Sequence, residues 1–90
     1  MNGDLQRSEL DRIYWHSRRG MLELDLVLMP FARDVYPSLP AAQRAEYREL
    51  LACEDADLYR WLVAGDPSGR LELQGMIDRV IGHGRSRTAT

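Results

Sequence analysis

The chain has no lysine, one cysteine (Cys53), two histidines (His16 and His83) and one phenylalanine (Phe31) in 90 residues. Each scarcity excludes something. A single cysteine cannot close an intrachain disulfide, so the fold is not a disulfide scaffold, a reducing compartment is expected, and Cys53 reads as a small apolar core filler. The two histidines stand in no HxxxH or HExxH pattern, and there is no Cys-x-x-Cys, so no metal site is expected and both read as surface or boundary residues. No G-x-G-x-x-G or G-x-x-x-x-G-K-[ST] loop is present to cradle a nucleotide phosphate. The uncharged stretch Leu26 to Ala32 is far short of the ~20 residues needed to span a bilayer. Twelve arginines face 14 acids for a net charge of -2, which is not the basic balance of a general nucleic-acid binder.

What is present is helical periodicity. Leu10, Ile13, Tyr14, Ser17 and Met21 follow the i, i+3, i+4 spacing of one helix face, and Gly20 is expected to end that helix. Leu22, Leu24, Leu26 and Leu28 alternate like a strand, yet Leu24, Val27, Leu28 and Phe31 also fall on one helical stripe, and leucine favours helix. Pro30 argues against an undistorted helix there, because it removes a backbone donor and crowds the preceding turn. Tyr36-Pro37-Ser38-Leu39-Pro40 is a loop, and Tyr47, Leu50 and Leu51 mark a third helix starting near Pro40 or Ala41. Asp55 reads as the N-cap of a short fourth helix that carries Leu58, Trp61 and Leu62. After the break at Gly65-Asp66-Pro67-Ser68-Gly69, Leu73, Ile77, Val80 and Ile81 form a fifth stripe, weakened by Gly75 and ended at Gly82. The polar, basic residues 83–90 are expected to be a frayed tail. The architecture implied is all-α: one small domain over residues 1–82, a bundle of about five short helices.

One stretch departs from this plain helical pattern. Arg18-Arg19-Gly20-Met21-Leu22-Glu23-Leu24-Asp25 places two cations, a helix-stopping glycine and two carboxylates in eight residues. Taken singly, each has an ordinary structural explanation: cations suit a helix C-terminus, glycine suits the left-handed cap, and acids suit the first turn of the next helix. Together they make a charged knuckle between two apolar segments.

That knuckle resembles the hallmark of the SdhE (YgfY) FAD assembly factors, also known as the succinate dehydrogenase assembly factor 2 family. The family motif is Arg-Gly-x-x-Glu, matched by Arg19, Gly20 and Glu23. Arg12-Ile13-x-Trp15 precedes it, Glu23-Leu24-Asp25 lies within it, and Met29-Pro30-Phe31 follows. A second block matches at Leu50-Leu51 and Asp55-x-Asp57-Leu58-Tyr59-x-Trp61-Leu62. The likeness runs from about Leu10 to about Val63; Pro40, where a Ser or Thr cap is expected, and Ala56 are minor departures.

The resemblance implies a helix over Leu22 to Leu28, and a protein that is not itself an enzyme. It implies binding to the flavoprotein subunit of succinate dehydrogenase, fumarate reductase or both, and promotion of covalent FAD attachment to a histidine of that partner. The partner-facing residues it implies are Arg19, Gly20 and Glu23, with Arg18, Met21, Asp25 and Trp15 around them. In this reading Arg19 and Glu23 are largely exposed in the free chain: Arg19 pairs with a partner carboxylate or orients a polar group, and Glu23 meets a partner cation or braces Arg19 and the loop. Gly20 permits close backbone approach. FAD belongs to the partner and is not held stably by the chain, which is expected to be a monomer when free. The N-terminal residues carry neither signal nor transit pattern, so a cytoplasmic bacterial protein is expected.

Two other functions are compatible with the residues. Members of the family have been described as the antitoxin half of a toxin–antitoxin pair, which is a binding function with another partner. A nucleic-acid binder using Arg12, Arg18 and Arg19 with Arg85 and Arg87 is opposed by the net charge and by Glu23 and Asp25. Trp61, Tyr59 and Trp15 read as helix-packing aromatics, Trp15 being the one that leans toward the knuckle.

Overall fold

The computed structural model describes residues 7–88. Five α-helices and one 3-10 turn follow in order: α1 Arg7–His16, α2 Leu22–Asp34, the turn Tyr36–Ser38, α3 Ala41–Leu51, α4 Asp55–Leu62 and α5 Leu71–Thr88. There is no strand among the described residues. The helices pack into a body with a radius of gyration of 12.6 Å. Helix α2 lies between α1, α4 and α5, while α5 also packs along α3.

The leucine alternation of α2 resolves into two opposite helix faces. Leu24 and Leu28, four apart, are fully buried with Phe31 and Ala32, whereas Leu22 and Leu26, also four apart, stay 70% and 60% exposed. Pro30 sits inside α2 without ending it, and the helix runs on to Asp34. Proline has no N–H to donate to the Leu26 carbonyl, four residues earlier, so α2 runs on with one helical hydrogen bond fewer.

An aromatic layer closes the core. Phe31 stacks on Tyr47 with ring centroids 5.3 Å apart, and Tyr36 tilts against Tyr47 at 5.5 Å. Leu50, Leu51, Leu58, Leu73, Met76, Ile77 and Val80 complete it from α3, α4 and α5. Trp61 is buried as expected of a packing aromatic, and Cys53 is half-buried at the core's margin.

Three sequence expectations need correction. Helix α5 does not end at Gly82: it continues through Gly82 and Gly84 to Thr88, so most of the expected tail over 83–90 is helical, residues 89–90 lying outside the described residues. The continuation is held from the side, with Ile81 packed against the core, the His83 ring edge-on to Phe31 at 5.9 Å, and Gly84 close against Val27. Asp55 is the first residue of α4 rather than its N-cap, which is Glu54. Helix α1 ends at His16, before Gly20, so residues 18–21 form an irregular link. Residues 1–6 of the expected domain lie outside the described residues.

Candidate functional site

The knuckle is the link between α1 and α2. Its start is pinned by Ser17, whose backbone N–H donates to the Ile13 carbonyl at 2.9 Å and whose hydroxyl donates to the same oxygen at 2.8 Å. Arg18 N–H follows, donating to Trp15 O at 3.1 Å. Gly20 then adopts φ +81°, the left-handed region that only glycine enters at little cost. A Cβ built there meets no atom within 4 Å, so glycine is required by the backbone conformation and the space above it is open. Met21, extended at φ -114° and ψ 120°, leads into α2 and tucks its side chain against the core.

Arg19 faces inward, contrary to the expectation that it is a largely exposed cation. Its side chain is 15% exposed. Nε donates to Asp55 Oδ1 at 2.8 Å, Nη1 to the Leu51 carbonyl at 2.9 Å and Nη2 to the Cys53 carbonyl at 3.1 Å. The expectation that cations here complement a helix C-terminus holds, but for a different helix: Arg19 caps α3, not α1. Asp25 also turns to the frame, its Oδ1 accepting from the Arg19 backbone N–H at 2.7 Å.

The expected partner-facing set therefore divides. Arg19, Asp25 and Met21 are committed to intramolecular contacts. Arg18, Gly20 and Glu23 are exposed, and Trp15, 63% exposed, stands at the end of α1, where packing was the expected role. Tyr14 supports its ring edge-on at 5.3 Å. Glu23 lies in the first turn of α2, where the helix dipole favours its charge.

Sequence reasoning passed over Leu22 and Leu26. They flank Glu23 on the same side of α2, and an excess of leucine beyond one helical face was the signal for them. Leu26 also borders an open groove of about 340 Å³ formed with Val63, Ile81 and Arg85. Asp55, which its sequence position offers as a cap within the second matched block, holds the motif arginine instead.

Elsewhere the titratable groups read as structural. Burial pushes the Cys53 thiol above its ordinary value, the reverse of an activated nucleophile, although Arg70 Nη1 lies 3.8 Å from Sγ. Tyr47, deeply buried, is raised by desolvation. His83 Nε2 approaches Asp34 Oδ2 at 3.3 Å, and the Arg33 hydrogen bonds hold the Asp34 carboxyl below its usual range. His16 is exposed. Among the described residues no three His, Cys, Asp or Glu side chains converge as metal ligands, and no helix is long and apolar enough to cross a membrane.

The profile of the family described as "Flavinator of succinate dehydrogenase" matches residues 11–83. The chain is 52% identical over 73 residues to the FAD assembly factor SdhE of Pseudomonas syringae pv. syringae, covering 81% of this chain and 87% of that one. It is 38% identical over 79 residues to the FAD assembly factor SdhE of Vibrio parahaemolyticus, covering 88% and 92%. The solution structure of a UPF0350 protein superposes with a TM-score of 0.69 at 35% identity, over 94% of this chain and 92% of the other. The chain belongs to the family of flavinators of succinate dehydrogenase, the SdhE FAD assembly factors.

Proposed function

We propose that this chain binds the flavoprotein subunit of succinate dehydrogenase in the bacterial cytoplasm and promotes its covalent flavinylation. The observation that carries this reading is the exposed half of the family motif. Gly20 holds a positive φ beneath open space, and Glu23 stands exposed in the first turn of α2, beside the exposed Leu22 and Leu26. A charge beside two exposed leucines of the same helix is the anatomy of a protein contact rather than of a solvated helix face. Arg18, Trp15, Leu22 and Leu26 extend the surface; Arg19, Asp25 and Met21 support it from behind.

The chain acts as a binding partner and not as an enzyme. Among the described residues no cluster of metal ligands forms, and the Cys53 thiol is raised rather than activated. Catalytic power in the complex comes from holding the partner's own histidine and FAD in reacting geometry. FAD itself stays with the partner: the sequence has no dinucleotide loop, and three grooves among the described residues, of about 340, 290 and 380 Å³, are open troughs. Fumarate reductase, whose flavoprotein subunit the same surface would meet, is a second client, and the free chain is a monomer. The relatives described above are named as assembly factors, and no observation favours the antitoxin reading.

The test is a pulldown with the tagged chain from cells expressing succinate dehydrogenase. Co-purification of the flavoprotein subunit by the wild type and its loss with Glu23→Ala support the reading; equal capture by both contradicts it.

A further inference from the structure

We propose that Asp55, on α4, is a positioning residue for the partner-binding knuckle and sets its affinity through Arg19. The proposal rests on the binding role of the knuckle given above. Residues 18–21 have no regular structure, so their path depends on what grips them. The grip in the middle of the link is Arg19. Its backbone N–H is taken by Asp25 and its guanidinium by three acceptors at the junction between α3 and α4.

Of those three acceptors, two are neutral carbonyls, Leu51 O and Cys53 O, and only Asp55 brings a countercharge. A guanidinium that is 15% exposed has given up most of its hydration. Two carbonyls do not compensate a charge in such a place, whereas a carboxylate on Nε does. Without Asp55 the cheapest response is for Arg19 to swing outward into water. That motion pulls on the residue immediately before Gly20 and on the amide that Asp25 holds. The fold has no need to open, because Arg19 is outside the hydrophobic core. Asp55 is thus 36 positions from Arg19 in sequence yet adjacent to the knuckle's geometry.

Asp57 provides an internal control. It stands in the same first turn of α4 and offers the same charge to the helix dipole, but its carboxylate pairs with Arg60 on the surface. Titration calorimetry with the isolated flavoprotein subunit of succinate dehydrogenase, run well below each variant's melting temperature, gives the affinity. Amide hydrogen exchange of the free chain, read by NMR at residues 19–23, gives the state of the knuckle.

Asp55→Ala is expected to weaken binding about tenfold and to speed exchange of the Arg19 amide by a similar factor. Asp57→Ala is expected to leave both unchanged. Asp55→Asn, which keeps an acceptor oxygen without the charge, falls between, and it carries the test if Asp55→Ala does not fold. A folded Asp55→Ala with wild-type affinity and wild-type exchange overturns the proposal. Wild-type affinity with fast exchange also overturns it, since Asp55 then holds the link without affecting binding. Should Glu23→Ala bind as tightly as wild type, the binding role of the knuckle fails instead; unchanged exchange at residues 19–23 in Asp55→Ala would still reject the positioning role by itself.

Discussion

The phenol oxygen of Tyr47 lies 2.7 Å from the hydroxyl of Ser17, just beyond the end of α1, and 3.2 Å from the Leu28 carbonyl of α2. One side chain of α3 thereby joins the two helices that flank the knuckle, inside the core and directly behind it. Both residues are fully buried, so neither polar group has water to fall back on. Tyr47→Phe is expected to cost about 1–2 kcal/mol, because the buried Ser17 hydroxyl keeps its bond to Ile13 but loses its phenol partner. Urea unfolding of the variant and wild type checks the figure; an unchanged midpoint would show that the Tyr47 hydroxyl contributes nothing.

The same burial gives stability a defined alkaline limb. Desolvation raises the Tyr47 phenol and, at a more exposed position, the Cys53 thiol. A group held above its unfolded value stabilises fully below that value, about 8.5 for cysteine and about 10 for tyrosine, and the contribution is lost as pH rises beyond it. At the acid end the signs reverse. Asp34 is lowered first by its hydrogen bond to Arg33, and Glu72 by its own backbone N–H at the start of α5, so their contributions exist above about pH 4 and vanish as pH falls. Both carboxylates are well exposed, and their share is small. Melting temperatures across the pH range are expected to form a plateau with a steeper alkaline than acid side. Tyr47→Phe is expected to flatten the alkaline side, and an identical slope in the variant would remove Tyr47 as its cause.

Arg19 and Glu23 are predicted to separate on mutation, although the motif joins them. Arg19→Ala strips the Leu51 and Cys53 carbonyls and Asp55 of their donor and is expected to cost about 2–3 kcal/mol. For a domain of this size that lowers the melting temperature by on the order of 10 °C. Glu23→Ala alters an exposed residue and is expected to stay within about 0.5 kcal/mol of wild type. Thermal melts of the two variants decide it, and equal melting temperatures would refute the inward role of Arg19.

Glycines are predicted to differ in sign along the chain. Gly20→Ala keeps the left-handed backbone without a clash and is expected to cost roughly 1 kcal/mol from strain alone. Gly75 and Gly82 lie inside α5 with open space where a Cβ would go. Alanine at either is expected to stabilise by roughly 0.5–1 kcal/mol. Destabilisation by Gly82→Ala would indicate that α5 does not continue through that position.

How far these features could be read beforehand follows from where their causes lie. The helix stripes were legible because periodicity is local: Ile13, Leu24, Leu28, Leu58, Trp61, Leu73, Ile77 and Val80 are buried as their spacing implies. The glycine pivot was legible for the same reason, Gly20 being a cap signal in sequence and a positive φ in space. Arg19 was not, since an arginine beside a helix end looks the same whether it faces water or a neighbouring helix. Its three acceptors lie more than 30 positions away. The end of α5 was misplaced because Gly82 and Gly84 weaken a helix locally, while side contacts to α2 at Phe31 and Val27 outweigh that cost. Leu22 and Leu26 were ambiguous between strand and helix, and only the helical answer turns them into exposed apolar residues beside Glu23.

The account stands most directly on covalent flavin content in a strain lacking the gene. The denatured flavoprotein subunit of succinate dehydrogenase is separated on a gel and its flavin fluorescence compared after complementation with wild type, Glu23→Ala and Leu26→Glu. Removing an interface charge or placing one in an apolar contact typically costs ~2–5 kcal/mol of binding, enough to abolish function. Wild type is predicted to restore the fluorescent band, and both variants, folded and expressed at wild-type level, are predicted to fail. A full band with both variants would contradict the assignment of the knuckle's exposed face as the surface that promotes flavinylation.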